Sequence, residues 1–157
     1  MRMTHTILIE QVALPDPMVL KVIETHVAQM QSQSPEESCH VMPADTLFRE
    51  GATVYSAKID GQVLGVGAFK PIEGTHGELK SMHTLAAARG RGVGRAMLAR
   101  LMADAKASGL DRLSLETGSD DHFASARKIY EDAGFTYCPP FAGYKEDPFS
   151  VFMTCRL

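Results

Sequence analysis

The chain has 157 residues, of which 45% are hydrophobic and 22% charged, and its net charge is −3. That length suits one domain with one core over residues 1–157. The slightly acidic balance argues against a nucleic-acid partner held by bulk positive charge, although Arg89, Arg91 and Arg95 form a local basic patch.

Residues 4–13 read as a first strand, and Pro15-Asp16-Pro17 opens a helix on which Val19, Val22, Ile23, His26, Val27 and Met30 share one face. His26 reads there as a packed or edge histidine. Residues 31–45, polar and containing Pro35 and Pro43, form a loop or short helix of a length that often carries function, and are expected on the substrate side. Residues 52–59 and 62–70 are rich in Val, Ile, Tyr and Phe around Asp60-Gly61, a two-residue hairpin signal. Gly65 and Gly67 weaken the second of these strands and open its backbone to close approach.

Residues 77–85 read as a fourth strand. Strict alternation puts Glu78, Lys80, Met82 and Thr84 on one face and Leu79, Ser81, His83 and Leu85 on the other. A Gly-rich loop follows, then a helix to about residue 108 with Val93, Met97, Leu101 and Ala105 on its buried stripe and Gly109 as its stop. Residues 112–116 read as a strand. A helix over about 123–133 carries Ala126, Ile129, Tyr130 and Ala133 on one face, and two last strands fall at 135–138 and 150–157. The hairpin calls for antiparallel strands and the strand-helix-strand unit at 78–116 for a parallel pair, so a mixed α/β (α+β) sheet flanked by helices satisfies both.

Cys39, Cys138 and Cys155 are odd in number and lack metal-ligand spacing, so reduced thiols, no metal and a cytoplasmic location are expected. The N-terminus lacks a signal-peptide pattern, and no apolar run is long enough to span a bilayer, so no membrane partner is expected. A homodimer through the C-terminal strands is left open.

The loop Arg89-Gly90-Arg91-Gly92-Val93-Gly94-Arg95 lies between a strand and a helix start. Glycine lets backbone N–H groups converge without a Cβ in the way, and the first N–H groups of a helix lack internal partners. With three arginines beside them they suit a pyrophosphate. A P-loop would need a Lys followed by Ser or Thr, which are absent here. A dinucleotide-binding turn would place its third glycine at Arg95, although Glu116 at the next strand end could serve as its ribose-binding acid. A Gly-rich helix entry with solvated arginines is the remaining alternative.

Arg89-x-x-Gly92-x-Gly94 resembles the pyrophosphate-binding motif of the GNAT superfamily of acyl-CoA-dependent N-acetyltransferases. Glu78-Leu79-Lys80-Ser81-Met82, Leu115-Glu116-Thr117-Gly118, Ala126-x-x-x-Tyr130 and Ala133-Gly134-Phe135 are similar to that family's fourth strand, fifth strand, last helix and following turn. The tail from Pro140 to Phe152 is similar to a bacterial subgroup of small members. The resemblance implies a mixed, mostly antiparallel sheet splayed between strands 4 and 5, with acetyl-CoA as cosubstrate in the gap. The backbone of Met82, His83 and Thr84 would pair with the pantetheine arm, and Arg89, Gly90, Arg91, Gly92, Val93, Gly94, Arg95 and Ala96 would hold the pyrophosphate. Two positions depart from the pattern. Phe123 stands where an Asn is frequent, and Thr84 and Ala86 stand where a bulky apolar residue and a Pro are common.

An amine attacks a thioester only when neutral, so a base or a water chain is needed at pH 7. Glu78, on a strand bordering the gap, is the candidate base, with a solvated strand-end carboxylate as the alternative. Glu116 is a second candidate, as base or as partner for a substrate ammonium. His83, on the face expected to be opposite Glu78, ranks below both. The resemblance assigns Tyr130 as proton donor to the departing thiolate, against plain core packing. Direct attack is expected rather than an acetyl-cysteine intermediate. The acceptor is expected to be a small-molecule primary amine. A protein lysine or N-terminus and a non-catalytic acyl-CoA-binding regulator are the alternatives.

Overall fold

The computed structural model describes residues 6–12, 16–33 and 48–157. Its elements in chain order are β1 (Leu8–Val12), α1 (Pro17–Gln33), β2 (Thr53–Ile59), β3 (Gln62–Glu73), β4 (His76–Thr84), α2 (Val93–Ala107), β5 (Arg112–Gly118), α3 (Ala124–Asp132), β6 (Thr136–Cys138) and β7 (Ser150–Arg156). The order matches the sequence reading, and the strands form one seven-stranded sheet in the order β1-β2-β3-β4-β5-β7-β6. All neighbouring pairs are antiparallel except β4 with β5. The expected mixed sheet is therefore present. Most of the loop at 31–45 lies outside the described residues: α1 runs on to Gln33, and nothing is described from 34 to 47. The side chains of His26, Val27 and Met30 are likewise outside the description.

The β2–β3 hairpin turns on Asp60 (φ 52°) and Gly61 (φ 80°), so both central residues take the positive φ that this tight turn requires. The sheet buries both faces. On one, Val19, Val22 and Ile23 of α1 pack against Val54, Val63, Val66 and Ala68. On the other, Met97, Leu98 and Leu101 of α2 and Tyr130 of α3 pack against Tyr55, Phe69, Leu79, Leu113, Leu115 and Met153. The two glycines of β3 explain how closely α2 approaches. A Cβ at Gly67 would lie 2.9 Å from atoms of Leu101, Met82 and Met97, and one at Gly65 would lie 2.8 Å from Val93 Cγ1. Ala133, expected on the buried face of α3, is instead exposed as the helix ends there.

Strict alternation along β4 is broken. Ala68 pairs with Lys80 but Val66 pairs with His83, so β4 carries one extra residue across two positions of β3. Ser81, with φ 54°, is the positive-φ residue of that bulge. Past it the faces exchange. Met82 joins Leu79 on the α2 side, and His83 joins Glu78 and Lys80 on the other. The expected grouping of Met82 and Thr84 with Glu78, and the placement of His83 opposite Glu78, are thereby corrected. A period-two reading cannot register an inserted residue.

The parallel β4–β5 pairing runs from His76/Arg112 to Glu78/Ser114 and stops, although β4 continues to Thr84 and β5 to Gly118. The two strands diverge from that point, leaving the β5-facing edge of β4 open from the bulge onward.

Leu101 is fully buried between α2 and the sheet. Leu101→Ala should lower unfolding free energy by about 2–5 kcal/mol, read from urea denaturation. A loss under about 1 kcal/mol would contradict this packing.

Candidate functional site

A cleft of about 540 Å³ opens on the α2–α3 side of the diverging strands. Met82, His83 and Thr84 of β4, Arg89, Gly90, Gly92, Val93, Gly94 and Arg95 of the Gly-rich loop and first turn of α2, and Phe123, Ala126, Ile129 and Tyr130 of the α3 region line it. Most of the residues picked from the loop motif thus meet β4 and Tyr130 in one place. Arg91 is exposed and lies outside that lining, as does Ala96.

The loop's three glycines have different physical reasons. Gly90 (φ 78°) and Gly92 (φ 83°) adopt the left-handed region, and nothing lies within 4 Å of where a Cβ would stand. Gly94 is a close-approach residue: a Cβ there would lie 3.1 Å from Ile129 Cδ1, at the α2–α3 contact. Gly92 caps α2, and its carbonyl accepts the Ala96 N–H at 3.0 Å. The N–H groups of Val93, Gly94 and Arg95 precede that first helical bond and remain available to an anion. Ala96, expected to add a donor, directs its N–H into the helix instead. Arg89 Nε donates to the Thr84 carbonyl at 3.3 Å, and Arg95 pairs with Asp132 at 2.8 Å, which holds the Asp132 carboxyl below its usual range.

Phe123, which stands where an amide was expected from the family pattern, packs its ring against Gly118, where no Cβ would fit. It offers the cleft an apolar edge and makes no side-chain cap for α3. Tyr130 is 6% exposed, and burial raises its pKa well above that of an ordinary phenol. Its hydroxyl therefore stays protonated at neutral pH. His83 is pushed down to about 4 by burial first and by the Arg89 guanidinium second, so it is neutral at pH 7.

A second cavity, of about 870 Å³, lies between β3, β4 and the segment leading to β7, and Lys70, Pro71, Ile72, Glu78, Lys80 and residues 142–147 line it. Glu78 is 4% exposed. Its Oε2 accepts the Tyr144 hydroxyl at 2.6 Å and pairs with Lys80 Nζ at 3.3 Å, while Lys80 Nζ also donates to the Tyr144 oxygen at 3.1 Å. Burial, followed by the Glu78 and Glu116 carboxylates, raises the Tyr144 phenol's pKa. Glu116 Oε2 accepts from Ser150 Oγ at 2.9 Å. Phe141 stacks edge-on against Tyr144 and Phe152, which fixes the segment over the sheet. Glu78 and Glu116 do not line the 540 Å³ cleft with Tyr130. β4 instead carries the two cavities on its successive stretches.

Sequence reasoning selected neither Tyr144 nor Lys80 as a site residue. Alternation already put Lys80 on the Glu78 face, but no local signal could have selected Tyr144, because 66 residues separate it from Glu78. The buried Ser114 hydroxyl, 2.6 Å from His76 Nε2 and 2.8 Å from Thr154 Oγ1, was missed for the same reason. The thiols of Cys138 and Cys155 have raised pKa values, burial being the main cause, and Cys39 lies outside the described residues. Among the described residues, no group of three or more His, Cys, Asp or Glu could hold a metal, and no helix is long and apolar enough to cross a membrane.

Comparison with known proteins gives a consistent result. The sequence model of the Acetyltransferase (GNAT) family matches residues 20–135. The uncharacterised N-acetyltransferase YsnE of Bacillus subtilis is 43% identical over 139 residues, covering 88% of this chain and 92% of its own length. A Klebsiella pneumoniae structure, provisionally described as an acyl-CoA N-acyltransferase, superposes with TM-score 0.78 at 27% identity, covering 98% of this chain and 97% of its own. The structure of yncA from Salmonella typhimurium, solved with its cofactor acetyl-CoA, shares the fold with TM-score 0.69 at 20% identity, covering 96% of this chain and 93% of its own.

The depressed His83 pKa has a consequence for stability. Between about 4 and the ordinary histidine value of 6.5, the unfolded chain binds this proton and the folded chain does not. The His83 contribution is fully present above pH 6.5 and is lost as pH falls toward 4. His83→Gln should flatten that part of the stability profile, and NMR of the wild type should find the His83 ring neutral at pH 6. A ring charged at pH 6 would contradict the burial.

Proposed function

This chain belongs to the GNAT acetyltransferase family and is an N-acetyltransferase, and we propose that it transfers the acetyl group of acetyl-CoA to a small-molecule primary amine by direct attack in a ternary complex. The observation that carries this reading is the opening of β4 from β5 past Glu78/Ser114, with a cavity on either side of β4.

The 540 Å³ cleft fits the cosubstrate by its own chemistry. The N–H groups of Val93, Gly94 and Arg95 and the positive end of α2 would hold the pyrophosphate, in the space left by Gly90 and Gly92. Arg89 adds positive charge beside them. The open edge of β4 at Met82, His83 and Thr84 offers backbone groups to the amide-bearing pantetheine arm, as an added strand would use them. When bound, acetyl-CoA supplies an acetyl group activated as a thioester.

The chain's own residues manage the protons. Tyr130, held protonated by burial, can donate its hydroxyl proton to a departing thiolate. Glu78, from the 870 Å³ cavity, can accept the proton of the attacking amine directly or through water, with Glu116 on the neighbouring strand as the second acceptor. Neutral His83 lines the cosubstrate cleft and adds no positive charge there. Direct attack is favoured over an acetyl-cysteine because burial disfavours the thiolates of Cys138 and Cys155. The 870 Å³ cavity is open to solvent, and a small-molecule acceptor is supported by the charged groups on its wall, Glu78 and Lys80, rather than by enclosure.

Tyr130→Phe should reduce turnover by about 100-fold or more while acetyl-CoA affinity stays within about threefold, measured by free-CoA release and by calorimetry. Unchanged turnover would remove the acid role. Binding of acetyl-CoA with no transfer to any member of a broad amine panel would replace the enzyme reading with that of a binding protein.

A further inference from the structure

The acceptor-side cavity contains a paired anion and cation on one wall. Glu78 has 5% of its side chain exposed and Lys80 12%, and their charges lie 3.3 Å apart. Burying two charges is costly, and binding a plain amine requires only the carboxylate. Glu78 Oε2 takes both the Tyr144 hydroxyl and Lys80, leaving Oε1 without a hydrogen bond among the described residues. Lys80 Nζ makes two polar contacts, to Glu78 Oε2 and to the Tyr144 oxygen, and an ammonium has three donors. One acceptor, Glu78 Oε1, and one donor of Lys80 thus remain on two residues that line the cavity and are bridged by Tyr144. Lys70 also lines this cavity, opposite Glu78 in the β3–β4 ladder, but its ammonium is paired with Glu50 at 3.0 Å.

We propose that the acceptor is an α-amino acid or a close analogue, whose amino group lies against Glu78 and whose carboxylate is held by Lys80. In such a compound the ammonium nitrogen and the nearest carboxylate oxygen are about 3 Å apart, comparable to a hydrogen-bonded ion pair. The Glu78–Lys80 pair on the wall presents that dipole in reverse, anion to cation and cation to anion. Lys80 is the specificity residue, and Tyr144 the positioning residue that holds Lys80 and Glu78 together. An amine without the carboxylate leaves Lys80 unsatisfied in a partly desolvated site, which is the type of mismatch that discriminates strongly between substrates.

This inference rests on the acetyl-transfer reading, and one experiment separates the two. Free-CoA release is measured with the full chain on α-amino acids, each paired with the amine that lacks only its carboxylate and with its carboxamide. The wild type should prefer the amino acids by at least about tenfold in kcat/KM, a charge-assisted hydrogen bond's worth. Lys80→Met should collapse that preference to within about threefold, and Lys80→Arg should restore part of it. Equal or better use of the decarboxylated amines by the wild type would overturn the inference while leaving acetyl transfer standing. That comparison needs no variant, so it holds even if Lys80→Met fails to fold. Acetylation of none of these compounds, with transfer to other amines of the broad panel, would overturn the inference alone, whereas transfer to no amine at all would overturn the acetyl-transfer reading and this one with it.

Discussion

The bulge at Ser81 is the constraint on which the site depends. Three pairs after it begins, the parallel ladder of β4 and β5 ends at Glu78 and Ser114, and the bulge lies just past that point. An extra residue bends a strand and increases its local twist. Here that bend turns β4 away from β5 while β3 still holds its other edge through Val66 and Gly65. The result is a strand with one satisfied edge and one open edge inside an otherwise continuous sheet. Such an edge is normally a liability, and in this fold it faces a cleft of ligand size.

The same bulge distributes the side chains of β4 between two cavities. Before it, Glu78 and Lys80 face the segment that carries Tyr144. After it, Met82 and Thr84 face α2, and they line the 540 Å³ cleft. Without the extra residue, alternation would send Met82 to the Glu78 side, and the core around Gly67, Met97 and Leu101 would lose a partner. Core packing and site geometry are therefore fixed by one irregularity, and the positive φ at a serine is its local cost.

Electrostatics is divided in the same way. The 540 Å³ cleft has its positive end at the start of α2, and its buried Tyr130 and His83 are both held neutral by desolvation. The 870 Å³ cavity carries the charged pair of Glu78 and Lys80 under Tyr144. The α2 end of the 540 Å³ cleft thus offers backbone donors and a surface arginine, while the buried charge pair lies on the wall of the 870 Å³ cavity.

Much of this was legible in the sequence, for local reasons. The hairpin at Asp60-Gly61, the buried stripe Val93-Met97-Leu101-Ala105 and the glycine loop each depend on a few adjacent residues whose backbone preferences are strong. They determined the element order, the mixed sheet and the family resemblance. Only the tertiary structure decided the faces of β4, because an inserted residue leaves no trace in composition or periodicity. It also decided that Gly94 serves helix packing, that Ala96 is committed to the helix, and that Phe123 replaces an amide with an apolar contact on Gly118. The junction of Glu78, Lys80 and Tyr144 had to wait for the fold as well. Its members lie on a strand and on a segment 66 residues further along the chain, and only the sheet order, which inserts β7 between β5 and β6, brings that segment back over β4.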